Sequence, residues 1–162
     1  MKTIQKIVSK LFKILLPFID QMAYLKYFNQ PLTSLPISSF QNYKNLSQIA
    51  EKNTYSIDSI DILENDNGFL VDKDWLNTLA FNTQIVVKKT ELNYAHGRVL
   101  YSVLRNYLST LKQGNKSINI IETGTALGFS SVCMAKALSD SGFEGSICTI
   151  DVIPHFKKMF WN

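Results

Sequence analysis

Residues 118–151 constrain this chain more than any other stretch. Ile118-Asn119-Ile120-Ile121 is a short β-branched run of the kind that suits a strand buried on both faces. Glu122 ends it, and Gly124 and Gly128 bracket a tight turn. A helical pattern follows from Phe129 to Leu138, with Ser130 near its first turn. Gly142 and Gly145 break the helix, and Ser146 to Ile150 reads as a second buried strand that ends in Asp151. The order strand, glycine turn, helix, strand, acid predicts a βαβ unit. Its two strands should lie side by side and parallel, joined by a right-handed crossover.

Each part of this unit suits the holding of a nucleoside. Glycines let the backbone turn sharply and come close to a ligand. The helix after Gly128 presents free N–H groups and a positive dipole end to the crevice, which favours a carboxylate or phosphate. An acid at the end of the second strand can accept hydrogen bonds from ribose hydroxyls. Dinucleotide-binding loops use G-x-G-x-x-G, in which the second glycine makes room for a pyrophosphate. Here the pattern is Glu122-x-Gly124-x-x-x-Gly128-x-Ser130, and Thr125 and Ala126 stand where that second glycine would fall. Glu122 would repel a pyrophosphate but could take an ammonium group.

This pattern resembles motif I of the class I S-adenosylmethionine-dependent methyltransferases, and Asp151 resembles their ribose-binding acid. The resemblance implies a Rossmann-like α/β fold and an S-adenosylmethionine site at Glu122, Gly124, Thr125, Ala126, Gly128, Ser130 and Asp151. It also implies methyl transfer to a small molecule or a sugar hydroxyl. Two other readings stay open: a nicotinamide-dependent oxidoreductase fragment, and an ordinary βαβ unit without a cofactor, as in a non-catalytic remnant or interaction module.

The stretch before the first strand carries the second signal. Leu92, Val99, Leu100, Val103, Leu104, Tyr107, Leu108 and Leu111 recur at helical spacing, which predicts a long amphipathic helix within Thr90–Lys112, ended by Gly114 and Asn115. His96-Gly97 is similar to the polar residue and glycine that precede motif I in caffeoyl-coenzyme-A-type and macrocin-type O-methyltransferases. His96 reads equally well as a cofactor-lining residue and as a surface or helix-cap histidine. Arg98 reads as a solvated or ion-paired helix charge.

Residues 1–89 predict a mostly helical region. Lys2, Lys6, Lys10 and Lys13 alternate with apolar residues in a basic amphipathic segment over Met1–Phe28. Lys13 and Pro17 interrupt its apolar run, which argues against a signal peptide or a transmembrane span. A helix lying on a membrane surface is compatible with the pattern, but packing on the chain's own domain or on a partner copy is favoured. Residues 29–45 read as a linker, and Leu46–Lys52 as a short helix. The alternation from Ser56 to Val71, with Asn67-Gly68 as its turn, predicts a small hairpin. Asp72 is placed to cap a helix starting at Lys73, with Trp75, Leu76 and Leu79 on one face.

A net charge of +4 spread over scattered lysines gives no nucleic-acid-binding stripe. Cys133 and Cys148 read as small buried core residues of a reducing, cytoplasmic setting, and no residues fall at metal-ligand spacing. No catalytic base can be assigned. The resemblance covers Thr90 to Asn162 and reaches only the second strand, so the sequence reads as the front part of a larger methyltransferase domain. Phe156, Phe160 and Trp161 suit self-association. The expected outcome is that the 162-residue chain by itself shows no methyl transfer in a radiolabel assay across hydroxylated small molecules and sugars; transfer above background would overturn it.

Overall fold

The computed structural model describes residues 38–87, 90–111 and 117–151. The expectations for the amphipathic N-terminal segment, for Gly114 and Asn115, and for the residues after Asp151 lie outside that set. The described residues form an α/β fold. Its elements are α1 (Phe40–Thr54), α2 (Asp58–Asn67), α3 (Lys73–Thr83), α4 (Ala95–Thr110), β1 (Ser117–Thr123), α5 (Phe129–Asp140) and β2 (Glu144–Ile150). Among the described residues, no helix is long and apolar enough to cross a membrane.

Local chemistry explains most helix ends. Ser39 caps α1 by accepting the Asn42 N–H at 3.1 Å, so the helix starts inside the expected linker and absorbs the expected Leu46–Lys52 segment. Asp72 caps α3, accepting the Trp75 N–H at 2.7 Å, as expected. Leu76 and Ala80 are buried on the inner face of α3.

The expected hairpin over Ser56–Val71 is replaced by a helix. Ile57, Ile60, Leu63, Glu64 and Asn67 follow helical spacing as well as the apolar residues follow alternation, and they form the more buried side of this segment. Ile62, which the alternation would turn inward, is 59% exposed. Asn67-Gly68 ends the helix instead of reversing a strand. Gly68 takes φ 74°, and its N–H reaches the carbonyls of Glu64 and Asn65.

α4 spans the expected amphipathic stretch, but its buried face differs from the apolar stripe. Val103 and Tyr107 are exposed, whereas Arg98 is 4% exposed and Glu64 of α2 is 2% exposed. Arg98 Nε donates to Glu64 Oε1 at 3.2 Å, and Nη2 donates to Glu64 Oε2 and, at 2.5 Å, to Asp61 Oδ1. Nη1 donates to the Thr54 carbonyl at 3.0 Å, and the guanidinium lies 4.8 Å from the Tyr55 ring centroid. Burial disfavours the charged guanidinium, but the hydrogen bonds to Glu64 and Asp61 outweigh this and raise its pKa. Further bonds join the same elements: the Tyr94 N–H to Thr54 Oγ1 at 2.9 Å, and Asn67 Nδ2 to Ser102 Oγ at 3.1 Å.

One core runs through these elements. Ala50, Val71, Leu76, Ala80 and Ile85 pack with Leu92, Tyr94, Tyr101, Phe129, Cys133 and Ala137, so residues 38–87 share their interior with the βαβ unit. β1 and β2 pair in parallel, with Ile118 opposite Gly145 and Thr123 opposite Ile150, and α5 joins them. The strand pair and the helix between them fall where expected.

The strands are not buried on both faces. Ile118, Ile120 and Ile147 take a half-buried side, while Ile121 is 75% and Ile150 57% exposed. Cys148, opposite Ile121, is exposed too, contrary to the buried position expected for it. The reason is geometric: successive side chains alternate across a strand, and only a second covering layer buries both sets. Cys133 is buried as expected, and desolvation pushes its thiol up to about 12.

Removing Arg98 would leave the Glu64 carboxylate buried without its partner. Arg98→Ala is expected to lower stability by about 3–5 kcal/mol in urea unfolding. A loss no larger than that of a surface substitution would mean that the pair contributes nothing.

Candidate functional site

The loop between β1 and α5 and the residue after β2 meet at the carboxyl edge of the strand pair. Gly124 leaves β1 with φ 85°, and its N–H donates to the Ile150 carbonyl at 2.7 Å, which fastens the start of the loop to the end of β2. The Gly128 N–H donates to the Thr125 carbonyl at 2.7 Å and closes the turn. Gly128 takes φ 78° and stands at the N-cap of α5, where no side chain caps the helix. A Cβ added at Gly124 or Gly128 would meet nothing within 4 Å, so backbone conformation rather than crowding favours glycine at both.

Ala126 is the strained member. Its φ of 44° is the only positive value at a non-glycine among the described residues. Such a conformation costs about 1–3 kcal/mol and persists where the surroundings hold it. Asp151 supplies a hold: its Oδ2 accepts the Ala126 N–H at 2.7 Å. The sequence-predicted acid is thus tied directly to the sequence-predicted loop.

Glu122, in the last turn of β1's pleat before the loop, is half-buried, and its Oε2 accepts the hydroxyl of Ser131. Ser130 occupies the neighbouring position in the first turn of α5. Sequence reasoning named Ser130 and missed Ser131. The two adjacent serines give no signal for the choice, which depends on the rotation of the helix relative to β1. The structure therefore brings Glu122, Gly124, Thr125, Ala126, Gly128 and Asp151 to one strand edge, with Ser130 in the first turn of the helix that follows. The edge is an open shelf: Gly124, Ala126 and Leu127 are exposed, and Thr125 and Asp151 half-buried.

His96 and Gly97 support this shelf from behind. A Cβ on Gly97 would lie 2.6 Å from Phe129 Cζ and 3.0 Å from Leu76 Cδ1, so the missing side chain is what lets Phe129 seat in the core at 2% exposure. The His96 ring meets the edge of Phe129 at 4.8 Å between centroids, and Tyr94 meets it at 6.3 Å. His96 itself is exposed, as the surface reading expected, and the partial desolvation of its ring against Phe129 lowers its pKa. Among the described residues, no three or more His, Cys, Asp or Glu side chains gather as a metal site would require.

Chemically, the shelf offers two carboxylates, a turn of exposed backbone and an uncapped helix start. Glu122 Oε2 is engaged by the Ser131 hydroxyl, and Asp151 Oδ2 by the Ala126 N–H. No protein-family model matches this chain, and no curated protein or solved structure matches it.

Because Phe129 is the first residue of α5, crowding at Gly97 acts on the loop helix directly. Gly97→Ala is expected to destabilise the fold by about 1–3 kcal/mol through overpacking, read as a lower urea midpoint with an unchanged slope. A stability gain, as for a glycine in an uncrowded helix, would show that the contact is not tight.

Proposed function

We infer that this chain holds S-adenosylmethionine on the β1–α5 shelf, as part of a Rossmann-like class I methyltransferase acting on a small molecule or sugar hydroxyl. The observation that carries this reading is the convergence of the glycine turn, the uncapped start of α5 and Asp151 at the carboxyl edge of a parallel strand pair. Ligands of open α/β sheets bind at that edge, outside the carboxyl ends of the strands.

The donor set fits the parts of the cofactor. Asp151 would accept from ribose hydroxyls, Glu122 suits an ammonium group, and the α5 N–H groups suit the carboxylate. When bound, the cofactor supplies a methyl group on a sulfonium centre. The protein's share is alignment on a rigid loop. The Ala126–Asp151 and Gly124–Ile150 bonds support this share, because they fix the loop before any ligand arrives.

A second reading rests on the same bonds. With Glu122 taken by Ser131 and Asp151 by Ala126, the βαβ unit satisfies its own polar groups, as a purely structural unit would. A nicotinamide-dependent reading is disfavoured by Thr125 and Ala126 at the second-glycine position.

Calorimetric titration separates the three. S-adenosylhomocysteine is expected to bind and NAD not to; binding of NAD alone favours the oxidoreductase reading, and binding of neither favours the structural one. Asp151→Ala should weaken S-adenosylhomocysteine by about 1.5–3 kcal/mol, the range for a charged hydrogen-bond partner. Asp151→Asn keeps an oxygen for the Ala126 N–H, so a similar loss there assigns the effect to the ribose rather than to the loop. Unchanged affinity in a folded Asp151→Ala variant would remove Asp151 from the site.

A further inference from the structure

A second cleft lies at the opposite end of the strand pair, where α4 ends ahead of β1 and α5 turns into β2. It measures about 560 Å³ and is walled by Phe69, Leu108, Leu111 and Phe143, with Arg105, Asp140 and Ser141 among its lining residues. Two polar atoms of these lining residues are buried and unpartnered: Arg105 Nε and Ser141 Oγ. Among buried side-chain atoms of the described residues they are the two such orphans, and both belong to residues that line this cleft. Buried polar groups nearly always find partners, so a coincidence of two in one concavity points to a ligand that supplies acceptors.

Arg105 is held in place from its other side. Its Nη1 donates to the Tyr101 hydroxyl at 3.2 Å and lies 3.8 Å from Asp140 Oδ2. The guanidinium stacks 4.8 Å from the Phe69 ring centroid and 5.7 Å from that of Tyr101. Asp140 is shared between Arg105 and Lys136. Lys136 Nζ lies 2.7 Å from one oxygen of that carboxylate and 2.8 Å from the other, and the Tyr101 hydroxyl donates to it at 2.7 Å. One carboxylate therefore faces two cations, and the cluster keeps a net positive charge. An immobilised guanidinium with its Nε–H unpaired is half of a fork that matches a carboxylate.

We propose that this cleft binds a small organic anion, a carboxylate carried on an apolar body, with Arg105 Nε and Ser141 Oγ donating to the carboxylate and Phe69, Leu108, Leu111 and Phe143 enclosing the body. This site is independent of the shelf at the other strand edge and does not rest on the methyltransferase reading.

The test is a titration of the full chain, followed by the Arg Nε–H and backbone amide resonances in ¹H–¹⁵N spectra, with phenylacetate, benzyl alcohol and inorganic phosphate as probes. Phenylacetate is expected to shift the Arg105 Nε–H and the Ser141 and Phe143 amides saturably, in the millimolar range suited to about ten non-hydrogen atoms. Benzyl alcohol, which lacks the charge, and phosphate, which lacks the apolar body, should each bind at least roughly tenfold more weakly. Arg105→Lys, which keeps the charge and removes the fork, should weaken phenylacetate on the order of tenfold. Ser141→Ala should weaken it by a smaller factor, and serves alone if the Arg105 variant does not fold. An unmoved Arg105 Nε–H resonance would mean that water satisfies the orphan atoms, and equal binding of benzyl alcohol would remove the anion from the site. Either result overturns the proposal.

Discussion

The burial of Arg98 is the constraint on which the rest of the described structure depends. A guanidinium inside a protein is tolerated only when its charge is matched and its donors are filled. Glu64 supplies two oxygens, Asp61 one, and the Thr54 carbonyl takes a remaining donor. To do so, α2 must present Glu64 inward, and α1 must end with Thr54 against α4. Three helices are thereby held by one side chain. Gly97, the residue before Arg98, then stands where Phe129 can seat against it, and this fixes the start of α5. The glycine loop inherits its position from that contact.

The loop in turn depends on the pairing of the strands. Gly124 is bonded to Ile150 and Ala126 to Asp151, and both partners belong to the end of β2 or just beyond it. The positive φ at Ala126 is held only when β2 lies beside β1 in the observed register. Shelf geometry and sheet formation are therefore coupled. The strand edge that carries the carboxylates is also the least enclosed part of the core, because Ile121, Cys148 and Ile150 on the adjoining face are open. A rigid loop on an open shelf suits a ligand that must enter and leave.

The opposite end of the unit has a different character. There the polar atoms are enclosed by apolar side chains, and their own partners are incomplete. Arg98 and Arg105 sit on one helix, seven residues apart and so about two turns from each other. The first has every donor nitrogen engaged by protein acceptors; the second is held only on its Nη1 side. The contrast between a structural arginine and one with binding capacity comes from the neighbouring element: α2 offers acids to the first, while the Nε of the second meets no protein acceptor.

Local sequence determined the order and kind of the elements around the shelf. The β-branched run before Glu122, the glycines at 124 and 128, the helical spacing through Leu138 and the acid at 151 each act within a few residues, and each appears in place. The same is true of Asp72 at the start of α3. What the tertiary structure decided is which side of each element faces in. Ile57, Ile60 and Leu63 recur at helical spacing within the stretch that also reads as alternation, and the buried pairing of Glu64 goes with the helix. Pattern reading places charges outside, so it could not foresee Arg98 inside while Val103 and Tyr107 of the same helix are exposed. The choice of Ser131 over Ser130 for Glu122, and the exposure of Cys148, follow from how elements distant in the chain are rotated and covered. Burial and partner choice are properties of pairs of segments, and a single segment does not contain them.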